Sequence, residues 1–319
     1  MTTPYFSVVI PAYNVQNYIK QTLESVFNQT FTDFELIVVN DGSTDRTLDV
    51  IKGINDTRLR IINQDNGGEC RARNRGMTEA AGHYLAFLDA DDIWLPYHLQ
   101  IARNFFKHNP SAYWFASVPK GFTGDVTYEM LNLPVSADPL YVIKSYYDEV
   151  SILPSSTCIL KSAIKEWDLF EPGMKSGGDR MGWLRFCMTS GDSLGLFPET
   201  TVYYRTQRPG AATDLGRESY NERFVQVYLN SMTVSSRLMR HYHPTDSTKR
   251  YLQGENRLHW GWCIRYSLLQ GWDRTLQSCK ITLGNATVIP LSLIRMLHTL
   301  ITAFFYSPFY IYSKIQNLK

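Results

Sequence analysis

The sequence predicts an α/β fold, a mostly parallel sheet flanked by helices, followed by a mainly helical C-terminal extension. Two observations predict it. Short apolar runs alternate with segments of helical periodicity through the first 120 residues, which is typical of βαβ units. Beyond Leu215 the patterning is mainly helical. A chain of 319 residues suits one large domain, or one domain with a smaller appendage.

The predicted strands are five apolar runs, at residues 6–10, 34–39, 59–62, 84–88 and 113–118. Pro11 is predicted to end the first strand. Helices are expected between them, one of them opening at the capping residues 43–45 and another with Pro96 in its first turn. Residues 120–150 are irregular and are predicted to form a loop or insertion, after which strand and helix patterns return between 155 and 205.

Composition excludes several classes of protein. The five cysteines are an odd number without CxxC spacing, so neither a disulfide framework nor a zinc site is indicated, and a reducing cytoplasm fits best. The N-terminus lacks a basic segment followed by a long apolar run, and we expect no signal peptide. The GxGxxG and GxxxxGK[ST] patterns do not occur, which argues against dinucleotide and P-loop enzymes.

The C-terminal third differs in charge from the rest of the chain. Residues 201–319 hold 15 Lys and Arg against 6 Asp and Glu, so they face either an anionic surface, such as phospholipid head groups or a phosphate-bearing acceptor, or only solvent. Residues 296–313 carry no Asp, Glu, Lys or Arg, which is borderline for a membrane span. An interfacial helix and a helix packed on the domain are the alternatives.

Acidic residues follow the fourth predicted strand, at the edge where open α/β sheets bind ligands. Alternation along an extended chain places Asp89 and Asp91 on one side, so their carboxylates converge. Mg²⁺ or Mn²⁺ between these carboxylates and a diphosphate would relieve their repulsion, because both ions prefer oxygen ligands. The alternative for a bare DxD is a solvated acidic turn. We expect Asp89 to contact nucleotide, Asp91 to bind the metal and Asp92 to orient the others.

Other strand ends add polar groups. Pro11 and Tyr13 follow the first strand, and Tyr13 offers an aromatic face to a base or ribose. Asp41, after the second strand, could accept hydrogen bonds from that base or ribose, or could belong to a turn and helix cap. Arg73 lies on the helix after Gly68 and could bring positive charge toward phosphate, as could Arg71 and Arg75, although one or two of the three must face solvent.

Four motifs in this order resemble the family 2 inverting glycosyltransferases of the GT-A fold, whose sheet is Rossmann-like. They are PAYN at 11–14, NDGSTD at 40–45, NGGxxxARNRG at 66–76 and FLDADDIWLP at 87–96. Further on, Gly177 to Asp179 resembles the acidic motif of that family, and residues 202–205 resemble its tyrosine-arginine strand. The resemblance covers about the first 210 residues.

The resemblance implies a catalytic domain at 1–210, with a nucleotide-sugar half at 1–118 and an acceptor half at 119–210. The remaining residues, 211–319, form the helical region that the patterning predicts, which could associate with a membrane. By analogy with the family, Asp41 contacts the base, Asp89 and Asp91 hold ribose and metal-bound diphosphate, and Asp179 is the general base. Gly178 departs from the pattern, because the family usually has Glu immediately before that Asp. The alternative for Asp179 is a helix N-cap.

These observations predict transfer of a sugar, with inversion, from a nucleotide-diphosphate donor to a glycan or lipid-linked hydroxyl, using Mg²⁺ or Mn²⁺. The donor is expected to be a UDP-sugar. No nucleic-acid partner is expected, and the predicted location is the cytoplasm, including the inner face of the cell membrane. The rivals are a nucleotidyltransferase and a non-catalytic module that holds nucleotide-sugar or glycan at a membrane, for which Gly178 is the one supporting feature.

Overall fold

The computed structural model describes residues 3–124, 127, 142–145, 152–165, 168–174, 177–191 and 193–206. The predicted helical region at 211–319, the uncharged stretch at 296–313 and most of the loop predicted at 120–150 lie outside these residues. Within the described ranges, no helix combines the length and the apolarity that crossing a membrane requires.

The described residues contain nine strands and five α-helices. The strands are β1 (Phe6–Ala12), β2 (Phe34–Asp41), β3 (Leu59–Gln64), β4 (Tyr84–Phe87), β5 (Ile93–Trp94), β6 (Trp114–Phe122), β7 (Val142–Ser145), β8 (Thr157–Leu160) and β9 (Ser193–Arg205). The helices are α1 (Ile19–Phe27), α2 (Thr47–Lys52), α3 (Glu69–Glu79), α4 (His98–His108) and α5 (Gly178–Ser190).

Several predicted boundaries are wrong, and each error has a local cause. Pro11 does not end β1, which continues to Ala12 in parallel register with Asn40 of β2. The helix predicted to open at residues 43–45 begins only at Thr47, because the Ser43 hydroxyl and the Asp45 carboxylate accept hydrogen bonds from the loop after β1. Pro96 precedes α4 instead of lying in it, and β6 and β7 extend into the predicted loop.

One mixed sheet connects all nine strands, in the order β3-β2-β1-β4-β8-β6-β9-β5, with β7 paired to β9. The half formed by β3, β2, β1 and β4 is entirely parallel. Strand β8 then pairs antiparallel with both β4 and β6, while β6 and β9 are parallel. The predicted α/β class is therefore confirmed, with antiparallel pairs added in the second half.

Helices cover both faces of the sheet, which explains why the central strands are mostly apolar. Along β1, Val8 and Ile10 point into a core shared with α1 and α4, whereas Val9 points into a second core shared with α3 and α5. Successive side chains of a strand thus pack into different cores, one on each face of the sheet. Helices α3 and α5 lie together on one of these faces. Both helices begin near the edge of the sheet that carries the predicted site.

Candidate active site

The carboxyl ends of three adjacent parallel strands meet at one edge of the sheet. Strand β1 lies between β2 and β4, so the loop after Ala12, the end of β2 at Asp41 and the turn after Phe87 are neighbours. Because this edge is where open α/β sheets bind ligands, the predicted site residues come from the expected place.

Asp41 is buried and holds the loop that leads into α3. Its Oδ1 accepts hydrogen bonds from the Gln64 side chain at 2.6 Å and from the Gly67 N–H at 2.9 Å, and its Oδ2 accepts one from the Gly68 N–H at 2.8 Å. Gly68 adopts a positive φ of 86°, which glycine tolerates without strain. Asp41 therefore fixes the turn between β3 and α3 at this edge of the sheet.

The loop after β1 is tied to the loop after β2. Asn14, with φ of 50°, accepts a hydrogen bond from the Thr44 N–H at 2.9 Å and donates its own N–H to the Ser43 hydroxyl at 3.2 Å. Pro11 is buried within the strand, while Tyr13 is 47% exposed. The loop thus presents one aromatic ring to solvent at the edge of the site.

Asp92 anchors the acidic turn from behind and has no exposed surface. Its carboxylate accepts the Ser155 hydroxyl at 2.5 Å and the Arg205 backbone N–H at 3.0 Å. Burial and the neighbouring carboxylates Asp89 and Asp91 raise the pKa of Asp92 well above its usual range. Asp92 therefore ties the acidic turn to Ser155 and to β9.

Asp89 and Asp91 are half-buried at the front of the same turn. The Asp89 carboxylate accepts a hydrogen bond from Arg73 Nη2 at 2.6 Å, and its backbone N–H donates to Ser155. Burial raises the pKa of Asp89 to about 7, against the lowering effect of the Arg73 guanidinium and with a further rise from Glu69 and Asp91. The site has an excess of negative charge that a bound cation would offset.

Arg73 is fully buried and links three elements. Its Nη2 bonds to both Glu69 and Asp89, and its guanidinium carbon lies 5.0 Å from the centre of the Phe170 ring. Its Nε has no hydrogen-bond partner within the described residues. Arg71 and Arg75 are exposed, as expected for two of the three arginines on α3. Arg73 thus joins the first turn of α3 to the acidic turn.

Asp179 lies in the first turn of α5, and two sets of hydrogen bonds hold that helix against α3. The Asn74 side chain donates to the Phe170 carbonyl at 2.7 Å and accepts from its N–H at 3.0 Å. Arg185 of α5 donates to the carbonyl of Leu169 and to the Glu171 carboxylate at 2.6 Å. The segment between these residues therefore holds α5 at a fixed distance from Arg73.

The Asp179 carboxylate accepts a hydrogen bond from the Arg180 N–H at 2.8 Å and lies one residue inside the helix, whose N-cap is Gly177. Burial raises the pKa of Asp179, Glu69 adds to the rise, and Arg73 opposes it. A raised pKa makes the carboxylate a better proton acceptor. The residue has the electrostatic setting of a base, and the N-cap position belongs to Gly177.

Sequence reasoning missed three residues of this edge. Ser155 and Arg205 hold the acidic turn, and Arg205 also donates to the Asp91 carbonyl at 3.0 Å. Tyr204 is half-buried, and its pKa is raised by burial and by the four carboxylates Asp92, Asp89, Asp91 and Asp179. Residues 202–205 stood out only as a strand, and no local pattern marked Ser155.

The donor set fits a divalent cation that shares its ligands with a substrate. No cluster of three or more His, Cys, Asp or Glu side chains suited to a metal occurs in the described part of the chain. Asp89 and Asp91 nevertheless lie on one turn, and each raises the pKa of buried Asp92. Mg²⁺ typically takes one or two carboxylates together with phosphate oxygens.

The family described as glycosyl transferase family 2 matches residues 7–166, which is 160 of the 319 residues. The chain belongs to glycosyl transferase family 2. The match includes Asp41, Arg73, Asp89 and Asp91 and ends before Asp179. This family membership agrees with the mixed sheet and with the acidic edge.

Curated relatives extend the likeness in sequence. The minor teichoic acid biosynthesis protein GgaB of Bacillus subtilis is 30% identical over 213 residues, which are 65% of this chain and 23% of GgaB. The chain spans less than half the length of the curated relatives it matches.

Solved structures share the fold of this family 2 chain. TarS 1-349 of S. aureus in complex with UDP-GlcNAc gives a TM-score of 0.61 at 19% identity, covering 88% of this chain and 79% of that one. The mannosyltransferase PcManGT of Pyrobaculum calidifontis, in complex with GDP-Man and Mn²⁺, gives 0.57 at 15% identity, covering 99% and 85%. At these identities the likeness shows the GT-A type of fold.

Proposed function

We propose that this chain transfers a sugar, with inversion, from a UDP-sugar to a hydroxyl of a glycan or lipid-linked acceptor. The observation that carries the proposal is the placing of buried Arg73 between Asp89, to which it bonds, and Asp179, on which its charge acts, with Asp91 beside Asp89 at the carboxyl edge of the sheet. Three carboxylates and one buried cation suit a substrate that brings both phosphate charge and a proton to be removed.

In the proposed reaction, Asp179 takes the proton from the acceptor hydroxyl. The hydroxyl oxygen bonds to the anomeric carbon while the bond from that carbon to the diphosphate oxygen breaks, so one displacement inverts the configuration. Asp179 suits this role because its pKa is raised by burial while the N–H of Arg180 still holds its carboxylate.

Donor binding is assigned to the same edge. The exposed Tyr13 ring offers a face to the base, and Asp41 fixes the turn beneath it. Asp89 would contact ribose and Asp91 would hold Mg²⁺ or Mn²⁺, which supplies electrostatic stabilisation of the departing diphosphate. TarS with UDP-GlcNAc and PcManGT with GDP-Man and Mn²⁺ support this donor class.

A panel of activated sugars tests the proposal. We would measure nucleotide release from UDP-, GDP- and other nucleotide sugars, with and without Mn²⁺, using membrane extract as the source of acceptor. Release that requires acceptor and rises with Mn²⁺ is expected. Binding of donor without turnover over the whole panel would instead support the alternative of a non-catalytic binding module.

The proposed location is the cytoplasm at the inner face of the cell membrane. The 15 Lys and Arg against 6 Asp and Glu in residues 201–319 support attraction to anionic head groups. The whole chain should sediment with anionic vesicles at low salt and should not sediment with neutral vesicles. Equal sedimentation with both kinds of vesicle, or with neither, would argue against this location.

A further inference from the structure

Gly178, immediately before Asp179, is fixed as glycine by its neighbour on α3. A Cβ built on Gly178 would overlap the Sγ of Cys70, which is 4% exposed, and would lie 3.6 Å from the Cβ of Met174. The buried thiol fills the space that a side chain at position 178 would need. A carboxylate directly before the base is therefore excluded by Cys70.

Helix α3 itself carries a carboxylate, immediately before Cys70 in the chain. Glu69 is the residue before Cys70 and the first residue of the helix, and its side chain is 58% exposed. It pairs with Arg73 one turn further on, and the same Nη2 of Arg73 bonds to Asp89. Glu69 is thus linked through Arg73 to Asp89, the carboxylate predicted to contact the sugar donor.

We propose that Glu69 is a positioning residue that supplies, from α3, the second carboxylate beside the base that Gly178 cannot carry. It pairs with Arg73, which also bonds to Asp89 and whose charge acts on Asp179. This inference rests on the proposed transfer reaction, because Asp179 is taken as the base.

Charge and burial explain why a second carboxylate is needed. The Arg73 guanidinium is 1% exposed, and a buried cation needs close acceptors. Without Glu69, Asp89 would be the one carboxylate bonded to Arg73, and Arg73 would move closer to it. The lowering effect of Arg73 on the pKa of Asp179 would then be unopposed by Glu69. Glu69 opposes that effect, since Glu69 raises and Arg73 lowers the pKa of Asp179.

The groups that act on Asp179 come from two further elements. Glu69, Cys70 and Arg73 belong to α3, and Tyr204 belongs to β9; Arg180 is the next residue of its own helix. Arg180 donates only its backbone N–H in the contact described above. Glu69 is the member of this group that can be neutralised without removing a buried side chain.

The first test compares Glu69→Gln with Glu79→Gln in the whole chain. Glu79 is a matched control, because it also pairs with an arginine of α3 at i,i+4 spacing but at the far end of the helix. Glu69→Gln should lower kcat on the order of tenfold while the Kd for UDP changes less than about threefold. The acid limb of the plot of kcat/KM against pH should move to lower pH. Glu79→Gln should leave kcat, the Kd for UDP and this pH profile unchanged.

The second test moves the carboxylate. In Glu69→Gln/Cys70→Ala/Gly178→Glu, the thiol is removed, the remaining Cβ of residue 70 lies at an ordinary 3.9 Å from a Cβ at 178, and Glu stands before the base. Against Glu69→Gln/Cys70→Ala, this variant should regain kcat and return the acid limb toward its original pH. Gly178→Glu alone should be destabilised by the overlap with Cys70.

Carbon-13 titration of the Asp179 carboxyl, assigned with Asp179→Asn, gives a readout that needs no turnover. Glu69→Gln should lower the measured pKa of Asp179, and the relocated Glu should raise it again. The proposal is overturned if Glu69→Gln behaves like Glu79→Gln, or if kcat falls with no change in the pKa of Asp179. Failure of the proposed function would be seen separately, as an intact titration response in a chain that releases no nucleotide from any donor.

Discussion

At the scale of single residues, the carboxylates of the acidic edge differ in their hydrogen-bond partners, and these partners distinguish what each carboxylate holds in place. Asp92 is sealed behind the turn by Ser155 and Arg205, whereas Asp41 is bonded to the glycine turn before α3. Asp89 faces Arg73, and Asp179 accepts only a backbone N–H in the contacts described above. Asp179 thus has fewer side-chain contacts that hold the fold than Asp41 or Asp92.

Replacing Asp179 with Asn tests its proposed role as the base. The amide keeps the shape and cannot take a proton, so kcat should fall by about 10²- to 10⁴-fold. The Kd for UDP, measured by calorimetry, should change little, because the proposed nucleotide contacts lie after β1, at the end of β2 and on the acidic turn. Asp33→Asn, an exposed carboxylate before β2 at the opposite edge, serves as the control. Wild-type transfer by Asp179→Asn would show that the base is elsewhere.

His98 predicts how stability responds to acid. It is buried, its Nδ1 lies 2.7 Å from the Thr201 hydroxyl, and its ring stacks on Trp94. Burial lowers its pKa to about 3, so the folded chain keeps it neutral while the unfolded chain protonates it below about 6.5. The stability gained from neutral His98 is complete above pH 6.5 and is lost as the pH falls toward 3.

Urea unfolding at pH 7 and pH 5 measures this effect. Between these values the wild type should lose about 2 kcal/mol more than His98→Gln, since each unit of pKa difference corresponds to about 1.4 kcal/mol. His108→Gln, at the exposed end of the same helix, should retain the wild-type pH dependence. Equal pH dependence in the wild type and His98→Gln would mean that His98 is protonated in the folded chain.

At the scale of elements, α3 organises the site. Its N-terminal loop is held by Asp41, Arg73 reaches the acidic turn, and Asn74 fixes the segment before α5. Gly76 allows the helix to lie close to the sheet, because a Cβ there would overlap the Cγ1 of buried Val9. A shift of this one helix would therefore move residues that hold both the donor side and the base.

Gly76→Ala measures how closely α3 packs. Alanine gains up to about 1 kcal/mol of helix propensity, but overlap with a fully buried valine costs about 1–3 kcal/mol, so the overlap should win. We expect a lower free energy of unfolding by urea and a lower kcat. Gly53→Ala is the control, since a Cβ there meets neighbours only at ordinary distances of 3.4 and 3.6 Å. A stabilised Gly76→Ala would show that Val9 has room to move.

The elements of the parallel half were predictable because their signals are local. Short apolar runs located β1, β2, β3 and β4 to within two residues at each end. Boundaries failed where tertiary contacts decide them, as at Ser43, whose hydroxyl is used by the Asn14 N–H instead of capping α2. Strand β5 has two residues and pairs only with distant β9, so no local pattern marks it.

At the scale of the whole molecule, the site likewise contains some residues that the sequence predicts and others that it does not. Asp89 and Asp91 could be selected from the sequence because their motif is contiguous. The residues that hold them could not, since Arg205 is 113 positions from Asp92 and Ser155 is 63 positions from it. Long-range pairing of this kind depends on the strand order, which sequence periodicity does not reveal.

The whole-molecule consequence is that donor and metal should stabilise the chain together. Phosphate and cation each relieve the other's charge at an edge where burial already raises the pKa of Asp89 to about 7. UDP at about 100 times its Kd should contribute about 3 kcal/mol and raise Tm by roughly 5–10 °C, and UDP together with Mn²⁺ should raise Tm by more than the sum of their separate effects. Thermal unfolding of Asp91→Asn should keep the shift from UDP alone and lose the increment from Mn²⁺, while Asp33→Asn keeps both. An unchanged Mn²⁺ increment in Asp91→Asn would place the cation on another residue.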